Sequence, residues 1–393
     1  MISLARLDIG RAASPFFELL NQVETEQQGL ELWRGVMVDK RAGKTLAKKI
    51  GDVKITETAA RAGIRVAREA GRKEPELVAA LNPLTGINMT AKKMTPQEMA
   101  ALSARVAKEG DPHRGEDIYR RKELACISCH AIGGVGGKVG PDMTSLGASA
   151  PTDYITQSLF DPNAKIKENY HSVIVATDDG TVSGIEVSST NEEMVLRDST
   201  GKLIKIAMDS VLGKKNGPSL MPSGVVDRLS RAEQIDLISF LTKLGKPGDF
   251  DASKANVGRV YEIFAGTHRI EQQGAELITS GKRTEGWKPL TSRVSGAITK
   301  QTMEEMTRQP VNIGLVNVYL RTEVQATAAG DATFTVEGPA KSALWVNGKR
   351  VKGESIFKAK LAAGKSTILV RLDPRALPDN FKLKSSDVSF SFE

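Results

Sequence analysis

Residues 125–134 read ACISCHAIGG and hold both cysteines of this 393-residue chain, Cys126 and Cys129, followed at once by His130. Two thiols at i and i+3 face the same side of one helical turn. The next residue then places an imidazole beside them. A Cys-X-X-Cys pair admits four chemistries, and its surroundings separate them. A dithiol redox pair of the thioredoxin kind belongs to a βαβ setting after a strand. Here the flanks read as helical before the pair and glycine-rich after it. A zinc site needs two further ligands; the chain has no second cysteine pair and only four histidines, His113, His130, His171 and His268. A disulfide across two intervening residues closes too small a loop to stabilise much. The pattern that remains is c-type haem attachment, in which both sulfurs form thioethers and the histidine becomes the proximal iron ligand. One covalent haem c, held through Cys126, Cys129 and His130, is the expectation.

The glycine run that follows, GGVGGKVGPD at 133–142, is not a phosphate loop. Val139 stands where the Ser or Thr after Lys138 would be required, and no strand precedes the run. It is expected to be a loop that brings backbone close to the ring edge, which glycine permits. A haem that carries electrons takes a second axial ligand, and the candidates are Met143, Met194, Met208, Met221, His113 and His171. Met194 and Met208 fall in expected strands, where they pack. Met143 is too near the attachment site to cross to the opposite ring face. His113 precedes the helix that leads into the motif and reads as solvent-facing. Met221 stands in GPSLMPSGVV, 217–226, an irregular loop stiffened by Pro218 and Pro222. The chain between His130 and Met221 is long enough to pass round a ring. Met221 is therefore the expected second ligand, and His171 the runner-up.

Around this motif the chain falls into three stretches. Residues 1–107 read as a helical domain, repeat-like in character but without a fixed period. Apolar residues recur at three- and four-residue spacing in FFELLNQV and ETAARAGIRVAREAG. TPQEMAALSARVAKEG opens with Thr95 as N-cap, Pro96 at the first helical position and Glu98 closing a capping box. Residues 108–250 are helical at both ends, with strands at about 172–212. There HSVIVATDDGTVSGIEVSS turns at Asp179 and Gly180, and EEMVLRDSTGKLIKIAM turns at Thr200 and Gly201. That predicts a four-stranded β insertion. The last helix, SRAEQIDLISFLTKLG, has a Ser230/Glu233 capping box and an apolar stripe of Leu237, Phe240, Leu241 and Leu244. Residues 251–393 begin mixed and hard to read. They then give VNVYLRTEVQA, DATFTVEG, SALWVNGKRV and STILVRLD, short alternating strands with glycine turns, which predict a β-sandwich.

A leading helix with Gly115 and Tyr119, the attachment motif, Gly140-Pro141-Asp142, a methionine loop and a closing helix resemble, in that order, the class I cytochrome c fold. The resemblance implies that backbone at the Gly-Pro step orients the proximal histidine, which gives Pro141 a supporting role. The longer string is CISCHAIGGVGGKVGPDMTSLG, FDPNAKIKENY, a β insertion and SLMPSGVVDRLSRAEQIDLISFL. Over residues 108–245 it is similar to the haem-binding domain common in planctomycetes and verrucomicrobia. In that family the domain often follows a propeller dehydrogenase-like domain and helical repeats in a large periplasmic protein. The likeness implies a piece of a longer exported chain, or one whose leader has been removed. The stretch ALWVNGKRV with LAAGKSTILVRL resembles galactose-binding and PA14-like sandwiches. That implies a carbohydrate partner, with Trp345 beside Asn347 and Gly348 as the candidate stacking platform. The expected fold class is thus multidomain α and β: an N-terminal helical region, a class I cytochrome c helical domain with a small antiparallel β insertion, and a C-terminal β-sandwich.

Composition is that of a globular protein, 40% hydrophobic and 26% charged. The formal charge of +8 is uneven: +5 over 1–110, −3 over 111–250 and +6 over 251–393. No basic block is interleaved with aromatics, so nucleic acid is not an expected partner. No run of about 18 apolar residues occurs, so no transmembrane segment is expected. The opening MISLARLDIGRAASPFF lacks the layout of a secretory signal. Covalent haem attachment nevertheless takes place outside the cytoplasm, so a periplasmic or otherwise exported location is expected. The Gly-X-Ser-X-Gly elbow, the His-Glu-X-X-His helix and the Rossmann glycine set are not found. Asp178 and Asp179 read as turn formers. The expectation is an electron-transfer protein rather than an enzyme: a c-type cytochrome moving single electrons between a partner dehydrogenase and an acceptor such as another cytochrome. Two alternatives stay open. One is a haem-based ligand-binding or sensing module with His171 on a distal wall; the other is a carbohydrate- or surface-binding protein carrying a redox domain.

Overall fold

The structure is a computed structural model that describes residues 8–39, 41–51, 53–68, 74–85, 94–121, 124–253, 256–308 and 314–391. It contains helices and several antiparallel sheets, with a β-rich C-terminal region, and its backbone groups into two compact units.

The first unit gathers Met1–Ala125, Thr156–Ala164 and Pro222–Leu237. It starts with α1 (Ile9–Leu20), α2 (Glu26–Val36), α3 (Ala42–Lys49), α4 (Glu57–Arg68) and α5 (Pro75–Leu81). Each turns an apolar stripe inward. Phe16, Leu20, Trp33, Leu46, Leu77 and Leu81 share one core. Trp33 meets Phe16 edge-on at 5.0 Å and donates its indole N–H to the Ala59 carbonyl at 2.8 Å. A buried tryptophan thereby keeps its polar atom satisfied. Helix α6 (Pro96–Glu109) carries the expected capping box of Thr95 and Glu98, and α7 (Pro112–Tyr119) is capped by Asp111.

Charged side chains then tie pieces of this unit that are far apart in sequence. Asp236, buried, accepts from the Asp111 backbone N–H at 2.7 Å and takes both Nε and Nη2 of Arg114 at 2.7 and 3.1 Å. Arg121, 10% exposed, joins Glu26 at 2.8 Å and Glu233 at 2.7 Å. Burial raises the Glu233 carboxyl and Arg121 lowers it, with a net shift below the usual carboxylate range. Ser230 and Glu233 form the predicted capping box.

The second unit comprises Cys126–Ile155, Lys165–Met221 and Ile238–Glu393. It opens with the single helical turn α8 (Cys126–Cys129) and a hairpin of β1 (His130–Ile132) and β2 (Val135–Lys138). The short α9 (Leu146–Ser149) follows, and then α10 (Thr152–Phe160), whose residues from Thr156 on belong to the first unit. Next comes an antiparallel sheet of five strands, β3 (Ser172–Thr177), β4 (Gly180–Ser189), β5 (Glu193–Arg197), β6 (Leu203–Ala207) and β7 (Val211–Asn216), ordered β6-β5-β4-β3-β7. The insertion thus has one strand more than the four expected. Strand β7, VLGKKN, lies at an edge and is mostly exposed, so it has no apolar alternation to betray it. One face buries Val173, Val175, Met194, Leu196 and Ile206; Met194 packs there on β5 as the strand pattern predicts, whereas Met208 lies in the turn after β6 and packs, partly buried, against the same face. The closing helix α11 (Arg231–Lys243) buries Leu237, Phe240, Leu241 and Leu244, the expected stripe.

Two antiparallel sheets make the C-terminal sandwich. One holds β10 (Ile298–Thr299), β17 (Asn380–Lys384), β12 (Gly330–Glu337) and β15 (Ile356–Leu361), paired in that order. The other runs β14 (Lys349–Val351), β13 (Ala343–Val346), β16 (Gly364–Leu372), β11 (Leu315–Ala326), β8 (Val260–Thr267) and β9 (Lys288–Thr291), with β18 (Ser389–Phe390) against β11. Their facing sides share Ile263, Val318, Leu320 and Val370 from one sheet with Phe334, Phe357 and Phe381 from the other. The outer face of the larger sheet is covered by α12 (His268–Thr279), where Ile278 packs with Phe264, Tyr319 and Trp345; α13 (Lys300–Thr307) buries Met303. Trp345 is therefore no open stacking platform. It is 8% exposed, with the Arg350 and Arg371 guanidinium groups 4.7 and 5.5 Å from its ring centre.

Candidate haem-attachment site

Ala125 enters the attachment turn with φ of 56°, in the left-handed region that few non-glycine residues adopt. Cys126 and Cys129 follow on one turn of helix, both half-buried and not joined in a disulfide. Burial pushes the Cys126 thiol up to about 11 and raises Cys129 as well. A nucleophilic dithiol needs the opposite shift, toward a thiolate at neutral pH.

His130 ends the turn and begins β1. Its Nδ1 lies 2.9 Å from the Pro141 carbonyl oxygen. A carbonyl can only accept, so Nδ1 carries the proton and the lone pair of the neutral ring resides on Nε2. Burial lowers the His130 pKa, opposed by the Pro141 bond, and the neutral ring is what binds a metal. The Pro141 carbonyl is held in turn by its neighbours. Gly140 N–H donates to the Cys129 carbonyl at 2.8 Å, and Met143 N–H to that of Ala131 at 2.8 Å.

Two glycines explain how the segment folds back so tightly. A Cβ at Gly140 would stand 2.4 Å from Cε1 of His130, and one at Gly137 would stand 1.8 Å from the Ser128 carbonyl oxygen. Residues 133–138 supply the turn and second strand of the hairpin, and the run at 133–142 lies against the cysteine turn and the imidazole. Gly137 thus makes room for the backbone of the cysteine turn, and Gly140 for the imidazole.

The structure brings Cys126, Cys129, His130 and Pro141 together. Met221, half-buried, lies in the loop after β7 with its N–H on Ser219 Oγ at 3.2 Å. That loop is fastened to β3, where Ser172 Oγ donates to the Pro218 carbonyl at 2.6 Å and Gly217 N–H to the Ser172 carbonyl at 2.9 Å. His171 and His113 are exposed. Sequence reasoning missed Arg197, whose Nη1 donates to the Lys138 carbonyl at 2.8 Å. An arginine on an expected strand carries no signal of that contact.

The donor set fits a haem c. Two sulfurs lie on one turn, the adjacent imidazole has its Nε2 lone pair set by a backbone acceptor, and the glycine cradle fixes the ring in place. Among the described residues no cluster of three or more His, Cys, Asp or Glu is placed to hold a metal ion. No helix of the described residues is long and apolar enough to cross a membrane.

In the sandwich, a cavity of about 600 Å³ opens on the outer face of the larger sheet. Its lining includes Glu262, Arg321, Glu323, Asn347 and Thr367. Arg321 pairs with Glu262, and its guanidinium carbon lies 4.2 Å from the Trp287 ring centre.

No family model matches the chain, and no curated protein does. Among solved structures, a β-glucuronidase of an uncultured Clostridium is 10% identical over 33% of this chain and 28% of its own, with a TM-score of 0.25. A β-glycosidase from Bacteroides vulgatus is 15% identical over 34% and 20%, with a TM-score of 0.24. An anti-sigma factor domain-containing protein is 15% identical over 34% and 43%, with a TM-score of 0.20. The chain thus spans less than half the length of each.

Proposed function

We propose that this protein is a c-type cytochrome with one haem c, attached through Cys126 and Cys129 and ligated by His130 and Met221, that passes single electrons between a partner dehydrogenase and an acceptor protein. The observation that carries the reading is the His130 Nδ1–Pro141 bond beside the cysteine turn. A ring nitrogen tied to a backbone acceptor keeps the other nitrogen's lone pair for iron and raises its basicity. When bound, the haem supplies a one-electron couple, and thioether ligation sets it at a higher potential than two histidines would. The chain's own part is to hold two ligands rigid, so that gain or loss of an electron moves few atoms. Attachment places the protein in the periplasm or another exported compartment, and the protein works as a carrier rather than an enzyme.

The test is the absorption spectrum of protein matured with a haem-attachment system. Pigment that survives acidified organic solvent, together with the weak red sulfur-to-iron band, is expected. Cys126→Ser with Cys129→Ser should release the pigment, and Met221→Ala should abolish the red band while the pigment stays bound. Colourless wild-type protein overturns the reading.

A second reading attaches to the sandwich. The cavity beside Arg321 and Asn347 has the polar lining that a sugar's hydroxyls require, and Trp287 lies under Arg321. Glycan-array binding by the whole chain, lost in Arg321→Ala, supports a carbohydrate partner; equal binding by the variant sinks it.

A further inference from the structure

The five-stranded sheet touches both ligand-bearing segments, and it does so along one line. Ser172 on β3 pairs with Ile185 on β4, and Ile185 pairs with Arg197 on β5. Directly opposed residues in antiparallel strands lie on the same face, so these three form a cross-strand row. At one end Ser172 Oγ holds the Pro218 carbonyl, and a Cβ at Gly217 would come within 2.3 Å of that hydroxyl. At the other end Arg197 Nη1 holds the Lys138 carbonyl, three residues before Pro141. The next turn contributes too: a Cβ at Gly201 would lie 3.4 Å from Val139 Cγ2. Ser172 at one end is 1% exposed and Ile185 in the middle 4% exposed, so the row is packed there, while its Arg197 end faces solvent. Two strand spacings separate its ends, about 10 Å.

We infer that Ser172, Ile185 and Arg197 form a strut that fixes the Met221 loop relative to the hairpin that carries His130 and leads into Pro141. This rests on the reading of His130 and Met221 as axial ligands. Neither Ser172 nor Arg197 is a ligand; both are positioning residues, acting through backbone carbonyls of the two loops. A sheet is stiff along its hydrogen-bonded direction because each strand is laddered to the next. A row across three strands therefore resists changes in the distance between its ends. The chain between His130 and Met221 would otherwise leave the thioether to find iron from a mobile loop, at an entropic cost in ligation strength. The strut removes most of that freedom before ligation.

The test measures displacement of the thioether by added imidazole in the oxidised, haem-loaded whole chain, followed by loss of the red sulfur-to-iron band. Arg197→Ala and Ser172→Ala should each lower the apparent dissociation constant for imidazole about tenfold, with covalent haem content unchanged. Arg197→Lys, which keeps a donor, should recover most of the wild-type value. Lys205→Ala, which breaks an ion pair with Glu193 on the same sheet, should leave it unchanged. The Arg197 bond is solvent-facing, so that variant keeps the strand ladder even where the buried Ser172 change disturbs folding. Wild-type displacement constants in both alanine variants, with the red band present in the wild type, overturn the strut and leave the ligand reading standing. Absence of the band from pigmented wild-type protein overturns both.

Discussion

Between Val260 and Phe390 the chain buries Phe334, Phe357, Phe381 and Phe390 completely, and apolar contact across two sheets holds them in register. Between Cys126 and Pro141 the elements are three or four residues long, and backbone bonds and glycine contacts set their positions. The sandwich tolerates small shifts because its stability is spread over many contacts. The hairpin has few contacts to spread it over, and one atom in the wrong place moves the imidazole. Bulk burial suits a region whose task is to stay folded. Directed bonds suit one whose task is to hold a nitrogen at a set position.

The largest expected effect tests the first half of that contrast. Phe381→Ala should cost about 3–5 kcal/mol in the unfolding transition of the sandwich, from lost burial plus a residual cavity. If the proposed haem is bound, its absorption bands should not move; if they do, the two regions are coupled more strongly than their packing implies. Gly140→Ala tests the other half. Its Cβ would displace the imidazole and break the Pro141 bond, costing about 1–3 kcal/mol locally. Covalent haem yield should fall while calorimetry finds the sandwich transition unmoved.

Thiol reactivity sharpens the contrast further. With the Cys126 thiol pushed up to about 11, its thiolate fraction at pH 8 in the haem-free chain should be on the order of a hundredfold below that of an ordinary cysteine. Alkylation followed by mass spectrometry should climb with pH past 9. A plateau near neutrality would favour a redox dithiol. The smallest effect is acidic. Glu233 titrates below its ordinary value when folded, so its contribution is complete above the unfolded value, near pH 4.3, and is lost as pH falls through the lower folded one. Arg121→Ala should flatten that part of the acid profile, read by circular dichroism.

Much of this was legible in the sequence, unevenly. The capping boxes at Thr95 and Ser230, the stripe of α11 and most sandwich strands follow from local pattern. Strand β8 did not: VYEIFAGT is packed on both faces, with Tyr261 and Ile263 toward one core and Phe264 toward the other, so alternation is erased. Strand β7 failed for the opposite reason, being an edge of glycine and lysines. The motif residues were plain, but the purpose of Gly137 and Gly140 was not, because what fills the space opposite a missing Cβ is a three-dimensional fact. Trp345 looked like a platform because the sequence places Asn347 and Gly348 beside it; α12 and two arginines, distant in sequence or across the sheet, close over it.

The ties at Asp236 and Glu233 bear on how the chain is made. Arg114 and Arg121 leave the ribosome more than a hundred residues before the carboxylates that neutralise them, 122 and 112 positions later. Before then Arg114 can pair with Asp111, and Arg121 with Glu26. A gene cut at residue 125 would remove both distant carboxylates, Asp236 and Glu233. A boundary beyond residue 243, where α11 ends, keeps each arginine with its acid.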